Sequence, residues 1–168
     1  MMEIGFSLGS NVGNRLQFLR WAKARLLLSG KAVFVNQSSV YETEPVGVRD
    51  EYRAMKFLNA VLIVESSLSP ADWLPVIKKI ESDFSRVRTD DRNAPRTIDV
   101  DILFAGDQIV DSELLRIPHP RWTERRFVVE PLAEVRGDFV MPDSDCPVRK
   151  ILEQMPDSED VRLFSDCW

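Results

Sequence analysis

Three short apolar runs, at 3–8, 57–64 and 98–104, alternate with two segments of helical spacing, and this order restricts the chain to few folds. Leu16, Leu19, Ala22, Leu26 and Leu27 recur at helical intervals, so 15–29 reads as an amphipathic helix stopped by Gly30. Val33, Val35, Val40 and Tyr41 mark one more extended segment over 32–43, closed by a turn at Glu44-Pro45-Val46-Gly47. After a polar loop at 48–56, Ser69-Pro70 starts a second helix, with serine as cap and proline in the first position. Trp73, Ile77, Ile80 and Phe84 give that helix one apolar face, and 86–96 is charged and without periodicity. The resulting β-α-β-β-α-β order is that of a ferredoxin-like α+β sheet with both helices packed on one face.

The remaining residues form a C-terminal extension. A short hairpin is expected around Ala105-Gly106-Asp107, a helix near 121–130 ended by Pro131, and a last helix near 147–154. A chain of 168 residues without repeat or low-complexity linker reads as one domain, 1–168, large enough to bury a core without staples. No stretch is long and uncharged enough to span a bilayer, and Glu3 stands where a secretory signal would be basic. Two cysteines and one histidine do not make the usual structural zinc site. A cytoplasmic monomer that binds neither membrane nor nucleic acid is the expectation; the net charge of −5 is opposite to that of proteins that coat nucleic acid.

The chemistry concentrates late in the chain. Asp99-Val100-Asp101 lies on an expected strand, so both carboxylates share one face, about 7 Å apart at Cα, while Ile98, Val100 and Ile102 take the other. Such a pair suits oxygen-loving divalent cations completed by phosphate oxygens, and it also suits a solvated sheet face. Between Arg86 and Arg126 there are eight arginines and no lysine, a bias that fits forked recognition of phosphate. Arg86, Arg88, Arg92 and Arg96 precede the strand; Arg116, Arg121, Arg125 and Arg126 follow it, with His119 among them. Carboxylates, bound metal and converging guanidinium groups form a kit for phosphoryl transfer. There is no Walker-type loop, no G-x-G-x-x-G after a strand and no kinase catalytic loop. Gly9-Ser10-Asn11 reads first as a chain reversal, and also suits an anion at the N-terminus of the helix that follows.

Several blocks of this sequence together resemble the 6-hydroxymethyl-7,8-dihydropterin pyrophosphokinases of folate biosynthesis: LGSNVGNR at 8–15, SSVYETEPVG at 38–47, FLNAV at 57–61, APRTIDVDILF at 94–104, IPHP at 117–120 and RRFVVEPLAEV at 125–135. The resemblance implies transfer of pyrophosphate from ATP to the pterin hydroxymethyl group, leaving AMP. It implies two magnesium ions on Asp99 and Asp101, with Arg86 and Arg96 stabilising the transferring phosphates. It implies nucleotide contacts from Glu81, Arg88, Ile102, His119 and Arg125, with Arg88 on a mobile loop. It implies that Asn59 and the main chain of Thr43, Glu44 and Val46 read the pterin edge, and that Phe57 and Phe127 sandwich its ring. In the loop that would close over the nucleotide, Thr89 and Asn93 stand where many members carry lysine and tryptophan. Three other classes compete, one of them a catalytically dead interaction protein, which would leave both aspartates and the arginines without a use. A nucleotidyltransferase would place its carboxylate pair close behind a Gly-Ser turn, whereas Ser10 and Asp99 are far apart. An RNA-recognition module shares the element order, but its strand aromatic motif is missing.

Overall fold

The computed structural model describes residues 1–29, 31–46, 49–84, 95–156 and 160–168. Strand β1 (Met2–Ser10) is central and antiparallel to both neighbours, β4 (Phe57–Ser66) and β5 (Asp99–Ala105). The segment expected as one strand over 32–43 is two, β2 (Ala32–Gln37) and β3 (Val40–Thr43), which pair with successive stretches of β4. The break falls at Ser38, whose main chain donates to Val61 O and whose hydroxyl accepts the Val61 N–H at 2.8 Å. The sheet order β5-β1-β4-β3, interleaved with two helices, is the expected ferredoxin-like arrangement.

Helices α1 (Arg15–Ser29) and α2 (Pro70–Asp83) cover one sheet face. Leu19, Ala22 and Leu26 from α1 and Trp73, Ile77 and Ile80 from α2 meet Ile4, Phe6, Leu8, Val100 and Ile102 of the strands in one core. Ser69 caps α2 as expected: its hydroxyl accepts the Asp72 N–H at 3.2 Å while the Asp72 carboxylate accepts the Ser69 N–H at 3.3 Å. The opposite face is partly covered by the extension, where α3 (Arg126–Arg136) and α4 (Val148–Gln154) pack Val128, Val129, Leu132 and Val148 on Val61, Ile63 and Leu103. Gly5 permits this, because a Cβ there would lie 2.3 Å from the Phe104 ring.

Three expectations for the extension need correction. Pro131 lies inside α3 rather than ending it; its ring is buried in the core, and that packing outweighs one lost main-chain hydrogen bond. The helix begins at Arg126, not near 121, because Trp122–Glu124 forms a 3-10 turn and Arg125 is extended. Gly106 and Asp107 turn the chain, but the paired strands come later, as β6 (Val110–Asp111) and β7 (Arg116–Ile117).

The last residues, for which the sequence offers no pattern, complete the sheet. Strand β8 (Val161–Ser165) pairs with the free edge of β3. Trp168 fills the notch at the β2–β3 break: it is 8% exposed and its indole N–H donates to Ser38 O at 2.8 Å. Lys23 donates to Trp168 O, and its ammonium lies 4.7 Å from the ring centroid. Trp168→Ala is expected to cost about 3–5 kcal/mol of unfolding free energy in urea, as for other buried aromatic truncations. A loss below about 1 kcal/mol, the range of surface substitutions, would mean the ring is not part of the core. No helix among the described residues is long and apolar enough to cross a membrane.

Candidate active site

Side chains alternate along a strand, so each strand that turns one set toward α1 and α2 turns the other set away. The second set includes Ser7 and Gly9 of β1, Thr43 of β3, Phe57 and Asn59 of β4, and Asp99 and Asp101 of β5, and all of these line one cleft of about 330 Å³. The volume falls within the range of small-molecule sites. Where α3 and α4 stop, this face of the sheet is left open as the cleft floor. Glu44, Val46, Arg96, Arg121, Glu124, Arg125 and Phe127 complete the walls.

One end of the cleft is ionic. Arg96 Nη1 donates to Asp99 Oδ2 at 2.6 Å. Arg125 Nη1 and His119 Nε2 each lie 4.0 Å from Asp101 Oδ2. The Asp101 side chain is 41% exposed, yet it sits at the cleft floor. Loss of bulk solvent, then the Asp99 charge beside it, push its pKa up to about 7 against the pull of Arg125 and Arg96. The pair therefore holds more negative charge than its neighbours neutralise.

The chain reversal at Gly9-Ser10-Asn11 does more than turn. Asn11 is 4% exposed, and its Oδ1 accepts the Arg96 N–H at 2.7 Å while its own N–H donates to Arg96 O at 3.1 Å. Its Nδ2 also reaches Met55 O at 3.4 Å. Asn11 thus fixes Arg96 relative to the end of β1 and to Met55, two residues before β4.

His119 is held as a neutral imidazole. Its Nδ1 accepts the Arg121 N–H at 3.2 Å, which leaves Nε2 as the protonated, donating nitrogen toward Asp101. Burial, then the charges of Arg125 and Arg121, push its pKa down to about 4. An unfolded imidazole takes its proton near pH 6.5, so between about pH 6.5 and 4 the unfolded chain binds more protons and acid weakens the fold. The stability difference between wild type and His119→Gln is expected to shrink as pH falls through this window in denaturant melts. A difference constant with pH would contradict the buried neutral imidazole.

The other end of the cleft is aromatic and amide-lined. Asn59 and Thr43 are 3% and 4% exposed, and Asn59 Nδ2 donates to Thr43 Oγ1 at 2.8 Å. A Cβ at Gly9 would lie 3.2 Å from Asn59 Oδ1, so the glycine leaves room for the carboxamide. Phe57 lines the floor from the start of β4, and Phe127 faces the cleft from the first turn of α3. The Arg125 guanidinium lies 5.6 Å from the Phe127 ring centroid, linking the aromatic and ionic ends.

A family profile described as 7,8-dihydro-6-hydroxymethylpterin-pyrophosphokinase (HPPK) matches residues 5–137. The chain belongs to this family. The 2-amino-4-hydroxy-6-hydroxymethyldihydropteridine pyrophosphokinase of Bacillus subtilis is 41% identical over 77% of this chain and 75% of its own length. The protein of the same description from Haemophilus influenzae is 33% identical over 97% and 99%. The folic acid synthesis protein fol1 of Pneumocystis carinii is 39% identical over 91% of this chain, but the chain spans only 20% of that protein. Among solved structures, Plasmodium falciparum HPPK-DHPS with pterin and p-hydroxybenzoate shares the fold at a TM-score of 0.69 and 17% identity, over 91% of this chain and 43% of that one.

Most site residues expected of an HPPK from this sequence meet in the one cleft: Thr43, Glu44, Val46, Phe57, Asn59, Arg96, Asp99, Asp101, Arg125 and Phe127 line it. His119 stands beside Asp101. Glu81 and Ile102 do not line it. Glu81 is 5% exposed and its carboxylate accepts the Val100 N–H at 3.4 Å from α2. The Ile102 side chain is 4% exposed in the core on the α1–α2 side, as strand alternation requires. Arg86 and Arg88, and the closing loop with Thr89 and Asn93, lie outside the described residues. Sequence reading missed Ser7, Gly9 and Glu124 as cleft residues and Asn11 as the clamp on Arg96, whereas Arg121, one of the arginines grouped around the strand pair, does line the cleft. Strand alternation from Leu8 would have found Ser7 and Gly9; Asn11 gives no local signal, because its partner is 85 residues away.

Proposed function

We propose that this cleft transfers a pyrophosphoryl group from ATP to 6-hydroxymethyl-7,8-dihydropterin. The observation that carries the reading is the junction of two unlike ends in one cavity. Phe57, Phe127 and Asn59 suit a flat, polar-edged ring, and Asp99, Asp101, Arg96 and Arg125 suit a magnesium polyphosphate. In the reaction the pterin hydroxymethyl oxygen bonds to the β-phosphorus of ATP. The bond from that phosphorus to the α–β bridging oxygen breaks, AMP leaves with that oxygen, and the hydroxymethyl proton is released.

The donor set fits magnesium. Two hard carboxylates share one face of β5, and the raised Asp101 pKa marks negative charge that a divalent cation relieves. Bound there, two ions supply Lewis-acid polarisation of phosphate oxygens and charge neutralisation. Arg96 would pair with the transferring phosphates, with Arg86 as a second. Arg125 and the His119 Nε2–H hold nucleotide phosphates, and Arg88 is a further nucleotide contact in this reading. Ile102 would act through its main chain, and Glu81 supports the Val100 N–H from beneath. Asn59 and the main chain of Thr43 to Val46 read the pterin edge, and Phe57 and Phe127 stack on its faces. One chain supplies every side chain this reading uses, so a monomer suffices, and the cytoplasm is kept as its expected place.

The test is a nucleotide product assay with ATP, magnesium and the hydroxymethyl dihydropterin. AMP formation that requires all three is the expected result. ADP formation would indicate single phosphoryl transfer, and pyrophosphate release would indicate nucleotidyl transfer.

A further inference from the structure

The two walls that meet at the aromatic end of the cleft belong to different parts of the chain. Thr43 ends β3, and Phe127 begins α3. A ring held between Phe127 and the sheet requires one fixed separation between helix and strand. Apolar packing of Val128 and Leu132 holds α3 to the sheet, but such contacts are non-directional.

A directional link lies at Glu134, in the last turns of α3. Its carboxylate accepts the Ser39 N–H at 3.0 and 2.9 Å, the Ser39 hydroxyl at 2.9 Å and the Tyr41 hydroxyl at 2.9 Å. The Ser39 N–H sits at the break between β2 and β3, where no ladder partner takes it. Tyr41 is opposite Asn59 in the β3–β4 register, and Asn59 in turn donates to Thr43. Burial and the Glu134 carboxylate push the Tyr41 phenol well above its usual pKa, so the hydroxyl remains a donor. Glu134 follows Phe127 by seven residues, two helical turns or about 10 Å, which puts both on the same side of α3.

We propose that Glu134 is a positioning residue for the pterin pocket: through Ser39 and Tyr41 it sets the distance and rotation of α3 against β3, and so the gap that Phe127 closes. The inference rests on the pyrophosphokinase reading of the cleft. Glu134 is exposed, so water can satisfy Ser39 and Tyr41 when the carboxylate is removed, and Glu134→Ala folds. The loss appears as geometry rather than as stability.

The experiment measures KM and dissociation constants for 6-hydroxymethyl-7,8-dihydropterin and for MgATP in wild type, Glu134→Ala, Glu134→Gln and Tyr41→Phe, with thermal melts. Glu134→Ala is expected to raise the pterin KM and dissociation constant by about fivefold to tenfold, with MgATP affinity within about twofold. Glu134→Gln keeps an accepting oxygen and should recover most of the affinity. Tyr41→Phe should weaken pterin binding less, and Tyr41→Phe added to Glu134→Ala should bring little further loss, since both break one link. Wild-type pterin affinity in Glu134→Ala overturns the inference. So do equal losses for both substrates, or a glutamine variant no better than alanine. A wild-type protein that binds no pterin overturns the functional reading itself, and this inference falls with it.

Discussion

Asp101→Ala is expected to lower kcat/KM by at least about a thousandfold while leaving the fold intact, since it removes a carboxylate that would hold the cation offsetting charge on the transferring phosphates. The side chain opens onto the cleft and supports no core contact, and its neighbours on the buried face, Val100 and Ile102, are untouched. Asp99→Ala should behave alike, with the added effect that Arg96 loses its 2.6 Å partner. The stability of the metal-free protein should move the other way. The Asp101 pKa is raised on folding, so its favourable contribution is present at low pH and is lost as pH rises from about 4 through about 7. At pH 8 without magnesium, Asp101→Asn should therefore melt above wild type, and at pH 4 the two should coincide. Magnesium should raise the wild-type Tm and leave the variant unchanged. Near-wild-type activity in Asp101→Ala would remove the carboxylate pair from the mechanism.

The second large effect is at the aromatic end. Phe127→Ala should weaken pterin binding by about 1–3 kcal/mol, through lost stacking and burial. Phe127 packs only at the edge of the α3–α4 core and lines the cleft, so it contributes to the site more than to the fold. Its contact with Arg125 adds a smaller consequence, a modest loss of MgATP affinity. Calorimetry separates the two ligands. Equal losses for both would identify Phe127 as ordinary core.

Much of this site is written locally. Alternation on β5 separates Asp99 and Asp101 from Val100 and Ile102, and that reading needs only residues within one strand. The same rule puts Asn59 and Val61 on one face of β4, where one lines the cleft and the other lies under α3. The features that escaped the sequence depend on partners far along the chain. Asn11 reaches Arg96, Glu134 reaches Ser39, and Trp168 reaches Ser38, each across 85 residues or more. No pattern of propensity or period reports such contacts. Pro131 misled for a related reason: the local rule that proline ends a helix yields when the ring is buried against a neighbouring layer. Arg125 shows the functional side of this. Its extended conformation ahead of α3, invisible in a helical periodicity, carries its guanidinium into the cleft instead of along the helix.

The central claim is that the bond broken lies between the α- and β-phosphates and that both outer phosphates leave together. ATP labelled at the β-phosphorus, incubated with the protein, magnesium and 6-hydroxymethyl-7,8-dihydropterin, tests it directly. The account predicts that the label moves to the pterin product in step with unlabelled AMP, and that Asp101→Ala abolishes the transfer. Label recovered in ADP or in free pyrophosphate, with none on the pterin, would contradict it.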